Sequence, residues 1–495
     1  MSVRKQPPLG GDKTSGAWGR WLAAGLAMTL SACAVGPDFR RPAPETPLAR
    51  LETPEGPTLA SRVEERALEA EWWSLFNDAS LNALLRRAQN GNLELRIAAS
   101  RIEQGRAQLG LARAAGLPRL GVGASYSREA LSGNGPMARL GARDNAHDLW
   151  QAGFDASWEL DLWGRNQRSR EAAAAGMLAA VYQREAVRVS LAADVARSYL
   201  LLRGVQAQLR IAEQHRQLAE QLERLTQRRA GAGAATQAET ASAGAELATV
   251  RAGIPRLRQQ QAALTNALAL LLGEPPRALN AELAAGAELP VLPRRIAVGL
   301  SSELARRRPD ILQAEAQLHA ATAAIGVAQA DFYPRIRLNG SLGLQAFEAE
   351  DFGNWSSRNF AIGPSLYLPI FEGGRLRRML ELSQAQQQQA AIQYQQTVLR
   401  AWHEVDNALY AYASEQWRQQ RVEQAFRQQR QAHAAAARRY QQGASDYLGV
   451  LIAQQKLFAR QRELSDSRTA MALAMVSLYK TLGGGWDAGA AGAEQ

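Results

Sequence analysis

The sequence predicts an α+β membrane protein: long antiparallel helices form a tube, and four transmembrane strands per chain enter a β-barrel shared by three copies. Three observations predict it. The 495-residue chain is an internal duplication. Each copy holds a long, proline-free run of strong helix formers, and the segments between the helices alternate strictly between apolar and polar residues.

The duplication sets the element order. "NLELRIAASRIEQGRAQLGLARAAGLPRL" from Asn92 lines up with "PDILQAEAQLHAATAAIGVAQADFYPRI" ending at Ile336. Gly110 meets Gly326 and Pro118 meets Pro334 at an offset of 216. Arg165 then meets Arg375, Gly233 meets Gly443 and Leu272-Gly273 meets Leu482-Gly483 at an offset of 210, so the first copy is six residues longer between Pro118 and Arg165. The first repeat spans 92–273, with strands at about 119–129 and 149–162 and helices at about 166–230 and 235–272. A linker, 274–308, leads to the second repeat, 309–483, with strands at about 335–347 and 359–371 and helices at about 375–442 and 447–482. Residues 484–495 form a tail.

The N-terminus indicates the compartment. Arg4, Lys5, Lys13 and Arg20 precede an apolar run, Trp21 to Leu30, which is too short to cross a bilayer and has the proportions of a secretory signal. It ends in Leu30-Ser31-Ala32 before Cys33, the only cysteine, and resembles a bacterial lipoprotein signal over residues 1–32. That resemblance implies a lipidated Cys33. Ala34, where an aspartate would mean inner-membrane retention, favours the outer membrane. Residues 33–91 then form a lipid-anchored segment with a short helix. With one cysteine no disulfide can form within the chain, and packing must hold the fold.

The net charge is +11, or +8 without the signal, but the arginines are spread through helical segments. No nucleic-acid partner is expected of an exported chain with that distribution.

The helical run from Asn166 to Ala230 carries Leu191, Val195, Leu202, Val205, Leu209, Leu218, Leu222 and Leu225 at steps mostly of three, four and seven, a coiled-coil-like seam. At about 1.5 Å per residue such a helix is roughly 100 Å long, and Arg375 to Gln442 repeats it. A globular enzyme has little use for two such rods. A conduit across a periplasm does.

In the stretch from Trp150 to Leu162 every even position is apolar, while Gln151, Gly153, Asp155, Ser157, Glu159 and Asp161 are small or polar. Leu120, Val122, Ala124 and Tyr126 keep the same parity, as do Ile336, Leu338, Leu342 and Leu344, and Phe360, Ile362, Leu366, Leu368 and Ile370. Pro364 and Pro369 weaken the last strand. One greasy and one wet face suit a barrel wall, with Asp155, Glu159, Asp161, Arg335 and Arg337 expected in the lumen. Trp150, Trp163, Trp355 and Phe371 would lie near the membrane interfaces. Four strands leave open edges that lipid cannot satisfy, so copies must share one barrel. Eight strands nearly fill their interior and twelve leave a lumen, which points to a homotrimer.

The acids among the tryptophans also suggest a glycosidase. Asp155 and Glu159 would lie about 13 Å apart along a strand, too far for either standard geometry, whereas Glu159 and Asp161, at about 7 Å, would fit an inverting pair. Nothing else supports a catalytic site: His147, His215, His319, His403 and His433 show no metal spacing, and no serine nucleophile motif is present. No enzyme activity, metal or cofactor is expected.

The duplication, "CAVGPDFRRP" after the signal, "RRPDILQAEAQLHAATAAIGVAQADFYPRIRLNGSLG" (Arg307 to Gly343) and "LYKTLGGGW" (Leu478 to Trp486) resemble the outer-membrane factor family, TolC-like, in its lipoprotein branch. The resemblance covers nearly the whole mature chain. It implies a trimer with a twelve-stranded barrel embedded in outer-membrane lipid and a periplasmic tunnel of helices. It also implies two partners, a periplasmic membrane-fusion adaptor and an inner-membrane transporter of the RND type. The expected role is the exit channel of a tripartite efflux pump for drugs or other toxic compounds; a channel for type I protein secretion is the alternative.

The turns "RRAGAGAATQAET" from Arg228 and "RRYQQGASDYLGVL" from Arg438 would then close the idle tunnel. Gly231, Gly233 and Gly443 permit the positive backbone angles of a tight helix–helix turn. Carried over by position, the resemblance places Asp446, Leu448 and Leu451 at a periplasmic gate, and Gly231, Gly233, Thr236, Gly443, Ser445 and Tyr447 at tips that touch the adaptor. Asp446 can equally cap the helix that follows, and both roles can hold together. Where some relatives place an acid and an arginine one turn apart, this chain has Ile452 and Gln455, which favours a hydrophobic closure.

Overall fold

The computed structural model describes residues 34–42, 62–64, 70–130, 132, 134, 146–286, 288–290, 292, 295–297 and 307–486. The signal, the expected lipidation site Cys33 and the tail beyond Trp486 lie outside the described residues. In chain order the main elements are α1 (Ala79–Gly91), α2 (Leu93–Ala114), β1 (Arg119–Glu129), β2 (His147–Leu160), α3 (Arg165–Gly231) and α4 (Gln237–Leu272). They are followed by α5 (Pro309–Ala330), β3 (Arg335–Ala346), β4 (Arg358–Tyr367), α6 (Arg375–Gln441) and α7 (Tyr447–Thr481).

Element ends differ from the sequence expectation where a side chain or a proline decides them. Helix α3 starts at Arg165 because the Asp161 carboxylate accepts from Asn166 N (3.0 Å) and Gln167 N (2.8 Å), giving its first turn the acceptors it lacks. Helix α4 starts at Gln237, later than expected, because Thr236 and Glu239 form a reciprocal capping box. Strand β4 stops at Tyr367, short of the expected 371, just before Pro369, which has no N–H for a ladder.

The duplication is visible in backbone hydrogen bonds. Gly233 N donates to Ala230 O and Ala234 N to Arg229 O at one tip; Gly443 N and Ala444 N do the same to Tyr440 O and Arg439 O at the other. Gly233 and Gly443 both have φ +71. Gly231 keeps helical geometry as the last residue of α3, so the positive angle expected there is absent. At the strand-to-helix joints Gly164 and Gly374 match in the same way, with φ +75 and +86.

The chain divides into two compact units. One comprises Met1–Arg41, Gln104–Met177 and Ala316–Ala391, and contains the four-stranded sheet. The strands run β1-β2-β3-β4, antiparallel throughout, and among the described residues the two outer strands have no further partner. In the register odd residues pair with odd, as in Gly121–Asp155–Ser341 and Arg337–Glu159. Every apolar even residue therefore falls on one face. Leu120, Val122, Phe154, Leu342, Phe360, Ile362 and Leu366 on that face are exposed, Ile362 to 78%.

The other unit comprises Pro42–Glu103, Leu178–Glu315 and Ile392–Gln495. Its core gathers Trp72, Trp73 and Phe76 with leucines of α1 and with Tyr199, Tyr412 and Tyr479 from three of the long helices. Trp72 stacks on Tyr479 with ring centres 5.2 Å apart. Burial of each such side chain stabilises by about 2–3 kcal/mol. Tyr199 donates to Asp78 (2.7 Å), and burial, then that bond, push its phenol up to about 12. Helices α3 and α4 are laced by Glu213–Arg258 (3.0 Å) and Glu220–Arg251 (2.9 Å), partners that descend one helix as they climb the other, so the pair is antiparallel. Against α7, a Cβ on Gly204 would lie 2.6 Å from Thr469 Oγ1, and His215 stacks on Phe458. Among the described residues no helix is long and apolar enough to cross a membrane.

Candidate functional site: the sheet face, the N-terminal clasp and the helical tips

An ion pair and side-chain hydrogen bonds cross the polar face of the sheet. Glu159 meets Arg337 across β2 and β3 at 3.0 Å, and Asn339 Nδ2 donates to Ser365 Oγ at 2.8 Å. Asp155 lies opposite glycine on one side and serine on the other, and among the described residues it has no basic partner. Asp161, expected among the lining residues, lies beyond the strand: β2 ends at Leu160, and the Asp161 carboxylate caps α3. Arg335 binds Asp331 (2.7 Å), which also accepts from Arg165 Nε (2.9 Å), so it ties the start of β3 to the start of α3. Asp331 was not among the residues expected from the sequence. It follows no periodic pattern, and only the fold brings it to two arginines.

At the same joint, Trp163 is packed rather than free at an interface: it stacks on Tyr333 (4.8 Å) and donates to Pro334 O (2.8 Å). Trp355 is 79% exposed, with the Arg358 guanidinium over its ring. Trp150 packs on Tyr126, and Phe371 is exposed.

The residues just after Cys33 are held by a clasp. Val35 N donates to Trp163 O (3.1 Å), and Gly36 lies so close to α5 that a Cβ on it would meet Gly326 Cα at 2.4 Å. The buried Arg168 guanidinium donates to Val35 O and Gly36 O (both 3.2 Å), and it binds Asp38 (2.7 Å) and Glu171 (2.8 Å). Glu171 also meets His319 Nε2 at 2.9 Å, and His319 stacks on Phe39. Burial disfavours charge on Glu171, but hydrogen bonds from Arg168 and His319 outweigh it and hold the carboxyl below its usual range. "AVGPDF" is thus the part of the sequence motif that makes the contacts.

At the second tip Asp446 is the N-cap of α7, accepting from Gly449 N at 3.2 Å. Leu448 and Ile452, one turn apart, are 49% and 45% exposed, while Leu451 is half-buried. Ile452 therefore shares the exposed apolar face with Leu448, a partner that helix spacing could have identified. Tyr447 packs at a tilt on Tyr440 (ring centres 5.0 Å apart), and burial pushes its phenol up. At the first tip Thr236 is used as a cap, and Gly231 and Gly233 face open space, as Gly443 does at the second. Ser445 is half-buried beside Asp446.

A sheet with an exposed apolar face, open edges and helices of 67 residues defines a channel protein of the bacterial outer membrane rather than a soluble sandwich. The chain matches the family described as "Outer membrane efflux protein" over residues 84–274 and 300–484, and it belongs to that family. It is 36% identical over 426 residues to "Pyoverdine export outer membrane protein OpmQ" of Pseudomonas aeruginosa, covering 84% of this chain and 88% of the relative. "Outer membrane protein OprJ" of the same species is 35% identical over 467 residues, 94% of this chain and 95% of the relative. The solved structure of the outer-membrane channel OprN superposes with a TM-score of 0.82 at 31% identity, covering 92% of this chain and 100% of that one. The protein is thus an outer-membrane efflux channel.

Proposed function

We propose that three copies close one twelve-stranded barrel and one helical tunnel, forming the passive exit duct of a tripartite pump with a periplasmic adaptor and an RND-type inner-membrane transporter. Lipid on Cys33 would anchor each copy, with the clasp around Arg168 fixing the chain from two residues further on. The exposed apolar face and open strand edges support sharing of the barrel in lipid, because an unpaired edge leaves its backbone groups unsatisfied there. The polar face then lines the lumen through Asp155, Glu159, Arg335 and Arg337. The protein conducts rather than catalyses.

The tips seal the duct at rest and receive the adaptor, with Gly231, Gly233, Thr236, Gly443, Ser445 and Tyr447 at the contact. The observation that carries the gate is the start of α7, where Leu448 and Ile452 expose one apolar face directly after the Asp446 cap. Apolar side chains converging from three copies would exclude water and ions. The relative named for pyoverdine export, together with the efflux family itself, favours small molecules over protein cargo.

Planar-bilayer recording of the purified protein tests the gate. Wild type should show rare, small openings, and Leu448→Ala and Asp446→Ala should conduct steadily. Equal conductance in wild type and both variants would remove the gate from this place.

A further inference from the structure

We propose that each seam between neighbouring copies carries, on its lipid-facing side, a site for the phosphates of an outer-leaflet lipid headgroup. Arg358 of one copy and Arg128 of the partner subunit build it. The inference rests on the reading that copies share one barrel, and it adds the register of their junction and the lipid held there.

The four strands carry five arginines. Arg119, Arg335 and Arg337 are odd-numbered, on the polar face, at the end next to the helices. Arg128 and Arg358 are even-numbered, so they share the apolar face, and both lie at the opposite, loop end. From Leu120 to Arg128 the strand runs about 27 Å, roughly 20 Å of height at the usual tilt. That is close to the far edge of an apolar band about 25 Å tall, where a charge on the lipid face is tolerated.

The duplication sets Arg358 apart from the other arginine. At offsets of 216 and 210, the pair Arg128–Asp148 of the first repeat becomes Leu344–Arg358 in the second, so a leucine faces Arg358 across the ladder. Asp148 binds Arg128 (3.2 Å) and accepts from the Tyr126 hydroxyl (3.0 Å). Arg358 donates to Trp355 O (2.7 Å) and lies 4.4 Å over the Trp355 ring, and among the described residues it meets no carboxylate.

The same offsets give the junction between copies. Applied to the β1–β2 pair Arg119–Ser157 they return Arg335–Tyr367, which is the pair that β3 and β4 form. Applied to the β2–β3 pair Ala152–Leu344 they set Ile362 of β4 opposite Arg128 of the partner subunit. Arg358 then lies two same-face positions further along the seam, about 14 Å away. Two guanidinium groups against one carboxylate thus flank each seam at headgroup depth, with Trp355 and the Tyr126–Trp150 pair beside them. Guanidinium forks match phosphate oxygens bidentately, and amphipathic aromatic rings suit that depth. A headgroup bearing two phosphates engages both forks while its acyl chains lie along the exposed Phe360 and Ile362.

Two measurements on the full-length protein test this. In the first, the pairs S125C/S365C and A124C/L366C, opposite one another in this register, are oxidised in membranes and run on a denaturing gel. One or both should give a covalent trimer, and S127C/S365C, displaced by two residues, should give none. In the second, bisphosphorylated lipid A is titrated into the purified channel in detergent, and retained lipid is counted by native mass spectrometry. R128Q and R358Q should each weaken binding about tenfold, and R358K should keep most of it. Lipid A stripped of phosphate should bind wild type as weakly as the intact lipid binds R128Q/R358Q. An unchanged elution volume would show that these variants still assemble. A wild type that purifies only as a monomer overturns the shared barrel and this inference with it. A trimer crosslinked by the displaced pair alone, or by no pair, overturns the register and the site built on it. Crosslinking in the stated register, with lipid binding indifferent to both arginines or to the phosphates, overturns the lipid site and leaves the shared barrel standing.

Discussion

Asp155 and Asp161 are six residues apart in one alternating stretch, and the structure gives them different work. On the proposed reading of the lumen, replacing each in turn should separate a lining residue from a cap. Asp161→Ala removes the acceptors of two N–H groups in the first turn of α3, at 3.0 and 2.8 Å. Loss of a cap costs about 0.5–2 kcal/mol, and loss of a negative charge at a helix N-terminus about 0.3–1 kcal/mol. The side chain is exposed, so the total expected for each chain is about 1–2 kcal/mol. Asp161→Asn keeps an acceptor and should recover most of it. Asp155→Ala breaks no ion pair among the described residues, so stability should stay within about 0.5 kcal/mol of wild type. Its effect belongs in the reversal potential under a salt gradient, where the three negative charges lost from the proposed trimer should shift the channel away from cations. Denaturant titration of the purified protein reads the first quantity and bilayer recording the second. If Asp161→Ala changed selectivity at unchanged stability, or if Asp161→Asn were as damaging as alanine, the capping role would be refuted.

Other expectations follow from the same contacts. Arg168→Met strands the Val35 and Gly36 carbonyls and Glu171, costs the clasp about 3 kcal/mol, and should speed hydrogen exchange of the Val35 amide; unchanged protection would refute the clasp. Gly233→Val and Gly443→Val force a β-branched residue to φ +71 at about 1–2 kcal/mol each, and should lower the drug tolerance that the channel confers on a deletion strain. His215 lies between Phe458 and Glu246 (3.2 Å), with Arg462 nearby, and burial holds its imidazole below the ordinary range. The unfolded chain therefore takes up the proton first. Stability should be full above the unfolded value of about 6.5, fall as the pH drops from there through the folded value, and level off below it. Denaturant titrations at pH 8 and pH 5 check this, and His215→Gln should remove the step.

Much of this protein is local, and local features are legible in sequence. Period-two alternation placed all four strands, because a one-residue slip would turn every apolar side chain to the wrong face. The offset of 210 located Gly233 and Gly443, and the structure gives both the same φ. Alternation could not tell Asp155 from Asp161. Parity continues past Leu160 in the sequence, while the strand ends where the N–H groups of α3 recruit the next carboxylate. The charges on the polar face were legible one by one, but their pairing was not: Glu159 finds Arg337 across 178 residues, and Asp331 gathers Arg165 and Arg335. The clasp was present in the sequence as a motif without a partner until Arg168 and His319 came to it from two different helices. The sequence by itself determined the duplication, the helices and strands, and the apolar face that requires a membrane, since periodicity and turn chemistry act over a few residues. Only the tertiary structure decided which charges neutralise one another and which acids serve as caps, because those outcomes depend on where each side chain lies in the fold.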